Sequence, residues 1–125
     1  MQRRHLLKAT AGTAALAATA WARAQDYPSQ PIRWVVPYPA GGGTDTIART
    51  LADAMHTPLG QALVIDNRPG AATNIGADLV AKSQPNGYTI MSADNALLAF
   101  NEHLFGKLPF NPEKDFSFIG AIGKF

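Results

Sequence analysis

The sequence predicts an α/β fold: a mainly parallel sheet flanked by helices. Three observations carry that expectation. Short β-rich runs alternate with helical periods, glycine- and proline-rich turns separate them, and the strand–loop–helix unit recurs. Sheets of this kind offer their ligand-facing loops beyond the carboxyl ends of the strands.

The first strand is Ile32-Arg33-Trp34-Val35-Val36-Pro37, entered through the proline-rich Tyr27-Pro28-Ser29-Gln30-Pro31. The next residues, Tyr38-Pro39-Ala40-Gly41-Gly42-Gly43, cannot continue a strand, because glycine opens backbone angles closed to other residues. Ile47, Ala48, Leu51, Ala52 and Met55 then repeat at helical spacing. Thr44 or Asp45 stands where a cap is needed, and Pro58 with Gly60 closes the helix. The unit recurs with a strand at Ala62–Asp66, a loop at 67–73 and a helix from about Asn74 to Ser83 that turns Ile75, Leu79 and Val80 inward. A turn at Pro85-Asn86-Gly87 leads to a third strand, Tyr88–Ser92. A weaker helix is expected over Ala96–His103 and a fourth strand over Phe116–Ile122.

Charge excludes one function class. The chain carries 11 Lys+Arg against 9 Asp+Glu. Four of the basic residues, Arg3, Arg4, Lys8 and Arg23, fall in the first 24 positions, where there is no acid. From Gln25 onward acids outnumber bases, so no basic stripe is left to neutralise phosphates and no nucleic-acid partner is expected. Residues 1–24 have the layout of a signal peptide: the Arg3-Arg4 pair, an apolar run Ala9–Ala20, and Ala22-Arg23-Ala24 as a cleavage site. The run is shorter than the ~20 residues a membrane-crossing helix needs. Arg3-Arg4-His5-Leu6-Leu7-Lys8 is similar to a twin-arginine export motif, with an ordinary secretory leader as the other reading. With no cysteine, neither a disulfide nor a lipid-bearing thiol is available, and the exported protein is expected to be soluble. Because Phe116–Phe125 reads as a strand with nothing after it, the chain is expected to be a fragment of something longer.

Three loops are therefore candidate sites: 38–45, 68–74 and 92–95. The first opens a helix, so free N–H groups and the helix dipole there favour an anion; a tight, unliganded strand-to-helix turn is the plainer alternative. Nucleotide motifs fail. Thr46 stands where a dinucleotide fingerprint needs its third glycine, and no lysine lies between Lys8 and Lys82 to complete a P-loop. There is no G-x-S-x-G or H-E-x-x-H. His56 and His103 share no ligand spacing, so neither a metal site nor a cofactor is expected. His56 fits a dipole contact at a helix C-terminus. Asp45 reads as a carboxylate at a helix start, able also to accept from a ligand hydroxyl or amine.

Taken in order, these strings resemble a family. Tyr27–Arg33, Val35–Asp45 with Ala48-Arg49, Asn67-Arg68-Pro69-Gly70-Ala71, Asn74-Ile75-Gly76-Ala77, Pro85–Thr89 and Leu108–Phe116 are similar to the tripartite tricarboxylate transporter receptors, or Bug proteins. The resemblance implies a periplasmic-binding-protein-like (type II) lobe over 25–125, with its second lobe missing. It implies a monomeric periplasmic receptor for a small carboxylate-bearing acid, serving membrane transporter subunits or a membrane sensor. It also implies ligand contacts, largely through backbone N–H groups, at Tyr38, Ala40, Gly41, Gly42, Gly43, Thr44 and Asp45, then Ala71, Ala72, Thr73 and Asn74, with a third set near Ser92, Ala93 and Asp94. Ala40, Ala72-Thr73 and Asn86 depart from the family's usual proline, glycine-rich continuation and aspartate. The competing expectations are an exported enzyme, with Asp45 or Asp94 as acid or base assisted by Tyr38, and a truncated copy without function.

Overall fold

The computed structural model describes residues 26–123; the expected leader, residues 1–24, lies outside them. The elements run β1 (Ile32–Val36), α1 (Gly43–Leu59), β2 (Leu63–Asn67), α2 (Asn74–Ala81), β3 (Thr89–Met91), a π-helical turn (Ala96–Phe100) and α3 (Asn101–Leu104). The three strands form one parallel sheet in the order β2-β1-β3. A parallel sheet with helices against it is the class the sequence predicts.

Register explains why helices cover both faces. Trp34 lies opposite Ile65 and Ile90, and these share a face with Ile32 and Val36. That face packs on Ala48 and Ala52 of α1. Val35 lies opposite Met91 and points to the other face, where Met91 packs with Ala77 of α2, Leu97 and Phe110. Successive side chains alternate across a strand, so β1 is buried on both sides and reads as a near-continuous apolar run. Gly60 ends α1 in the left-handed conformation (φ 66°), its N–H on the His56 and Thr57 carbonyls at 3.0 and 3.3 Å. Pro58 sits inside the last turn rather than beyond it.

Two expectations are corrected. Helix α2 does not turn Ile75 inward; that side chain is 52% exposed, while Leu79 and Val80 are only half-buried. The buried positions are Asn74, Gly76 and Ala77. The reason is closeness: a Cβ on Gly76 would stand 2.9 Å from Pro37 Cβ and 3.1 Å from the Arg68 carbonyl oxygen. The helix seats on its smallest residues because only they fit. Second, 116–122 forms no strand. Among the described residues β3 pairs with β1 alone, and Phe118, Ile119 and Ile122 lie exposed beside an open cleft. A strand exists only where a neighbour accepts its ladder hydrogen bonds, and this segment makes none.

Candidate functional site

All three candidate loops sit at the carboxyl end of the sheet, one after each strand. They are fixed in different ways. The first loop depends on Asp45, which is 3% exposed. Its Oδ2 accepts from the Gly41 N–H at 2.8 Å and from Arg49 Nε at 2.9 Å; Oδ1 accepts from Asn67 Nδ2 at 2.9 Å. Hydrogen bonds from Arg49, then Gly41, then Asn67 outweigh burial and hold this carboxyl well below the usual carboxylate range. Asn67, at the end of β2, also donates to the Tyr38 carbonyl at 3.0 Å and so ties the loop to the neighbouring strand. Asp45 is thus the brace of the loop, with both oxygens occupied by protein donors.

The brace leaves α1 open at its start. Gly42 is the N-cap and offers no side-chain bond. Among the described residues the N–H groups of Gly43, Thr44 and Asp45 have no protein acceptor, the orphan donors every uncapped helix start carries. Ala40, Gly41, Gly42 and Gly43 are exposed and Thr44 is half-buried. Gly41 needs its glycine for φ 83°.

The second loop has one glycine at positive φ, Gly70 (124°), but three non-glycine residues follow it into the same region. Ala71, Ala72 and Thr73 all have positive φ, at 46°, 49° and 75°. Such angles cost an L-residue about 1–2 kcal/mol each. A local bond from the Asn74 N–H to the Ala71 carbonyl (3.1 Å) closes the turn. Two more bonds come from far along the chain: Asn101 Nδ2 donates to the Ala72 carbonyl and to Asn74 Oδ1, each at 2.7 Å. The Thr73 hydroxyl and Asn101 Oδ1 are buried without a protein partner. The N–H groups of Ile75 and Gly76, at the start of α2, also have no protein acceptor among the described residues.

In the third loop Ser92 Oγ accepts from the buried Trp34 indole N–H at 3.0 Å, which leaves its own O–H to donate. Asp94 accepts the Tyr38 hydroxyl on Oδ2 and the Leu97 N–H on Oδ1 at 3.1 Å. Burial, then the Asp94 carboxylate, pushes the Tyr38 phenol above its ordinary value, so it stays a neutral donor. A cleft of about 1250 Å³ brings Tyr38, Thr44, Ser92, Ala93 and Asp94 together; it runs along β3 towards Phe116 and Ile122. Ala40, the three glycines, Asp45 and the 71–74 turn do not line this cleft. Among the described residues no cluster of metal-ligating side chains is present. Asn101 was absent from the residues expected at the site. Its one signal in the sequence is a polar amide four positions after Leu97, on the buried stripe of a weak helix.

With the geometry in place, comparison with known proteins decides the family. The profile of the tripartite tricarboxylate transporter family receptor matches residues 47–125. The chain belongs to that family. BugT of Bordetella pertussis is 40% identical over 116 residues, 92% of this chain and 34% of BugT. A UPF0065 protein from the tcbD–tcbE intergenic region of Pseudomonas sp. strain P51 is 38% identical over 114 residues, 91% of this chain and 34% of its own length. Among solved structures, MatC of Rhodopseudomonas palustris with bound malate superposes with a TM-score of 0.68 at 37% identity, covering 72% of this chain and 31% of MatC. The R. palustris protein Rpa4515 with adipate gives 0.67 at 36% identity, covering 70% and 29%. The chain spans about a third of the length of the curated relatives it matches. No described helix is long and apolar enough to cross a membrane.

Proposed function

We propose that this chain supplies one wall of a periplasmic receptor that captures a small organic acid by its carboxylate and releases it unchanged. The captured acid would pass to the subunits of a tripartite tricarboxylate-type transporter or to a membrane sensor. The observation that carries the reading is the exposed, uncapped start of α1. There, the N–H groups of Gly43, Thr44 and Asp45 have no acceptor among the described residues and the helix dipole adds a partial positive charge. The malate and adipate held by related structures are acids of the class such donors suit. Both oxygens of Asp45 are taken by protein donors, and the Tyr38 hydroxyl donates to Asp94. Ala40, Gly41, Gly42, Gly43, Thr44 and the turn Ala71–Asn74 provide the anionic end of the site, and Tyr38, Ser92 and Asp94 its cleft side.

Magnitudes set the expected affinity. A hydrogen bond to a charged group contributes about 1.5–3 kcal/mol. Two or three of them total about 3–9 kcal/mol, from which the ~4 kcal/mol or more lost on immobilising a ligand is subtracted, so millimolar binding, about −4 kcal/mol, is near the upper limit for this wall alone. Calorimetric titration with malate and with adipate at millimolar concentration should give stoichiometric binding, each acid being recovered intact. Gly42→Leu tests the location. Gly42 has φ −76°, which any residue tolerates, and an added Cβ would meet only the Pro39 carbonyl at 3.3 Å. The leucine would stand over the helix start and weaken binding at least ~10-fold, or 1.4 kcal/mol, with little change in melting temperature. Unchanged affinity in that variant, or turnover of either acid, would sink the reading.

A further inference from the structure

We infer that Asn101 is a positioning residue: held by the π-helical turn before it, it keeps the second loop in the left-handed shape that turns its donors to the ligand. The inference rests on the carboxylate-receptor reading for its purpose, but its geometry stands alone. Three consecutive non-glycine residues with positive φ do not hold that conformation by their own preference. Thr73 gives no side-chain cap, and one local backbone bond, from Asn74 to Ala71, closes the turn. Asn101 supplies the remainder, gripping a carbonyl in the middle of the turn and the side chain just beyond it.

The turn at Ala96–Phe100 makes that grip possible. The Asn101 N–H bonds to the Ala96 carbonyl, five residues back instead of four. One extra residue in a turn rotates everything after it by about 100° relative to a continuous α-helix. That rotation decides which side of the helix Asn101 faces, and it faces the second loop, with 0% of its surface exposed. A leucine there would suit a buried helix face better. The amide is instead buried with its Oδ1 unpaired, an unfavourable arrangement unless its two donated bonds are needed.

Asn101→Ala and Asn101→Asp test this in the whole chain; the second keeps the shape and removes the donor. In each, the backbone amides of Asn74 and Ala77, which bond to the Ala71 and Thr73 carbonyls, should exchange with deuterium at least ~10-fold faster, the loss of roughly one net hydrogen bond. The NMR signature of positive φ at Ala71, Ala72 and Thr73 should disappear, while α1 amides keep their protection. Affinity for malate and adipate should fall by about the same ~10-fold factor. Adding Ala71→Gly and Ala72→Gly, which remove the steric cost of the left-handed region, should recover much of that affinity. A purely structural asparagine would not respond to glycines so far along the chain. Persistence of the positive-φ signature in Asn101→Asp overturns the inference, and so does a uniform rise in exchange that includes α1 and β1. Should the unmodified chain bind neither acid, the receptor reading fails, and the exchange pattern still judges Asn101.

Discussion

The first and second loops perform the same structural task by opposite means. Each must turn the chain sharply after a strand and leave N–H groups open at the start of a helix. The first uses glycine at positive φ and a carboxylate within the loop–helix junction to brace it. The second follows one such glycine, Gly70, with two alanines and a threonine in a conformation they disfavour, fixed by an amide about thirty residues further on. The first shape is set chiefly within its loop–helix junction, with one tie from Asn67 on the neighbouring strand, and the second is fixed chiefly from far along the chain. A locally encoded loop keeps its shape when distant packing changes, whereas an imposed loop shifts with whatever holds it.

Gly76→Val should break the comparison most severely, because it strikes the point both loops share. Its Cβ would press on Pro37, where the first loop begins, and on the Arg68 carbonyl, where the second begins. Both contacts are backbone or ring atoms that cannot swing aside. Overpacking of this kind costs about 3 kcal/mol, the upper part of its usual range. Chemical denaturation should show that loss; a change below ~1 kcal/mol would mean that α2 can shift on the sheet and that the two loops are less tightly coupled than described.

Asp45→Asn separates the loops, since its bonds to Gly41 and Arg49 lie at the first and its one link towards the second is through Asn67 at the end of β2. Asp45 titrates below its unfolded value of about 3.9, so its stabilising contribution is complete above about pH 4 and is lost as pH falls further. Asp66 has the same sign: burial pushes its carboxyl up, and bonds from Arg33 and Arg68 more than reverse that. The variant retains Asp66, so the comparison cancels it. The wild-type melting temperature should exceed the variant's at pH 6, and the gap should narrow towards pH 3. A gap independent of pH would mean that the lost interaction is steric rather than ionic. Amide exchange at Asn74 and Ala77, which reads the second loop, should not respond to this substitution.

Much of this could be read from residue order. Prolines bounding Ile32–Val36, the triple glycine, and the repeated strand–loop–helix unit located the sheet and its first loop, because those signals act on their own backbone. Helix α2 was misread because periodicity ranks residues by hydrophobicity, whereas the seat on Pro37 selects for smallness and so buries Gly76 in place of Ile75. The fourth strand was misread because alternating apolar residues at 116–122 describe a strand only when a partner edge is within hydrogen-bonding reach. Asn101 was illegible for a further reason: its direction depends on one wide turn, and no local pattern in Ala96–Phe100 announces it.

The smallest effects make the cleanest test of local against imposed geometry, because they come as a pair of opposite sign. Gly41 has φ 83° and nothing within 4 Å of an added Cβ, so Gly41→Ala changes backbone preference alone. It should destabilise by about 1 kcal/mol, the left-handed penalty less the entropy that alanine removes from the unfolded chain. Ala72 has φ 49° and is exposed, so Ala72→Gly is the reverse experiment. Relief of the same penalty, offset by the ~0.5–1 kcal/mol glycine adds to unfolded-state freedom, should leave the protein more stable by about 0.5 kcal/mol. Urea denaturation resolves the two signs. If both variants destabilise, the Ala71–Thr73 turn carries no strain to relieve, and Asn101 has nothing to hold in place.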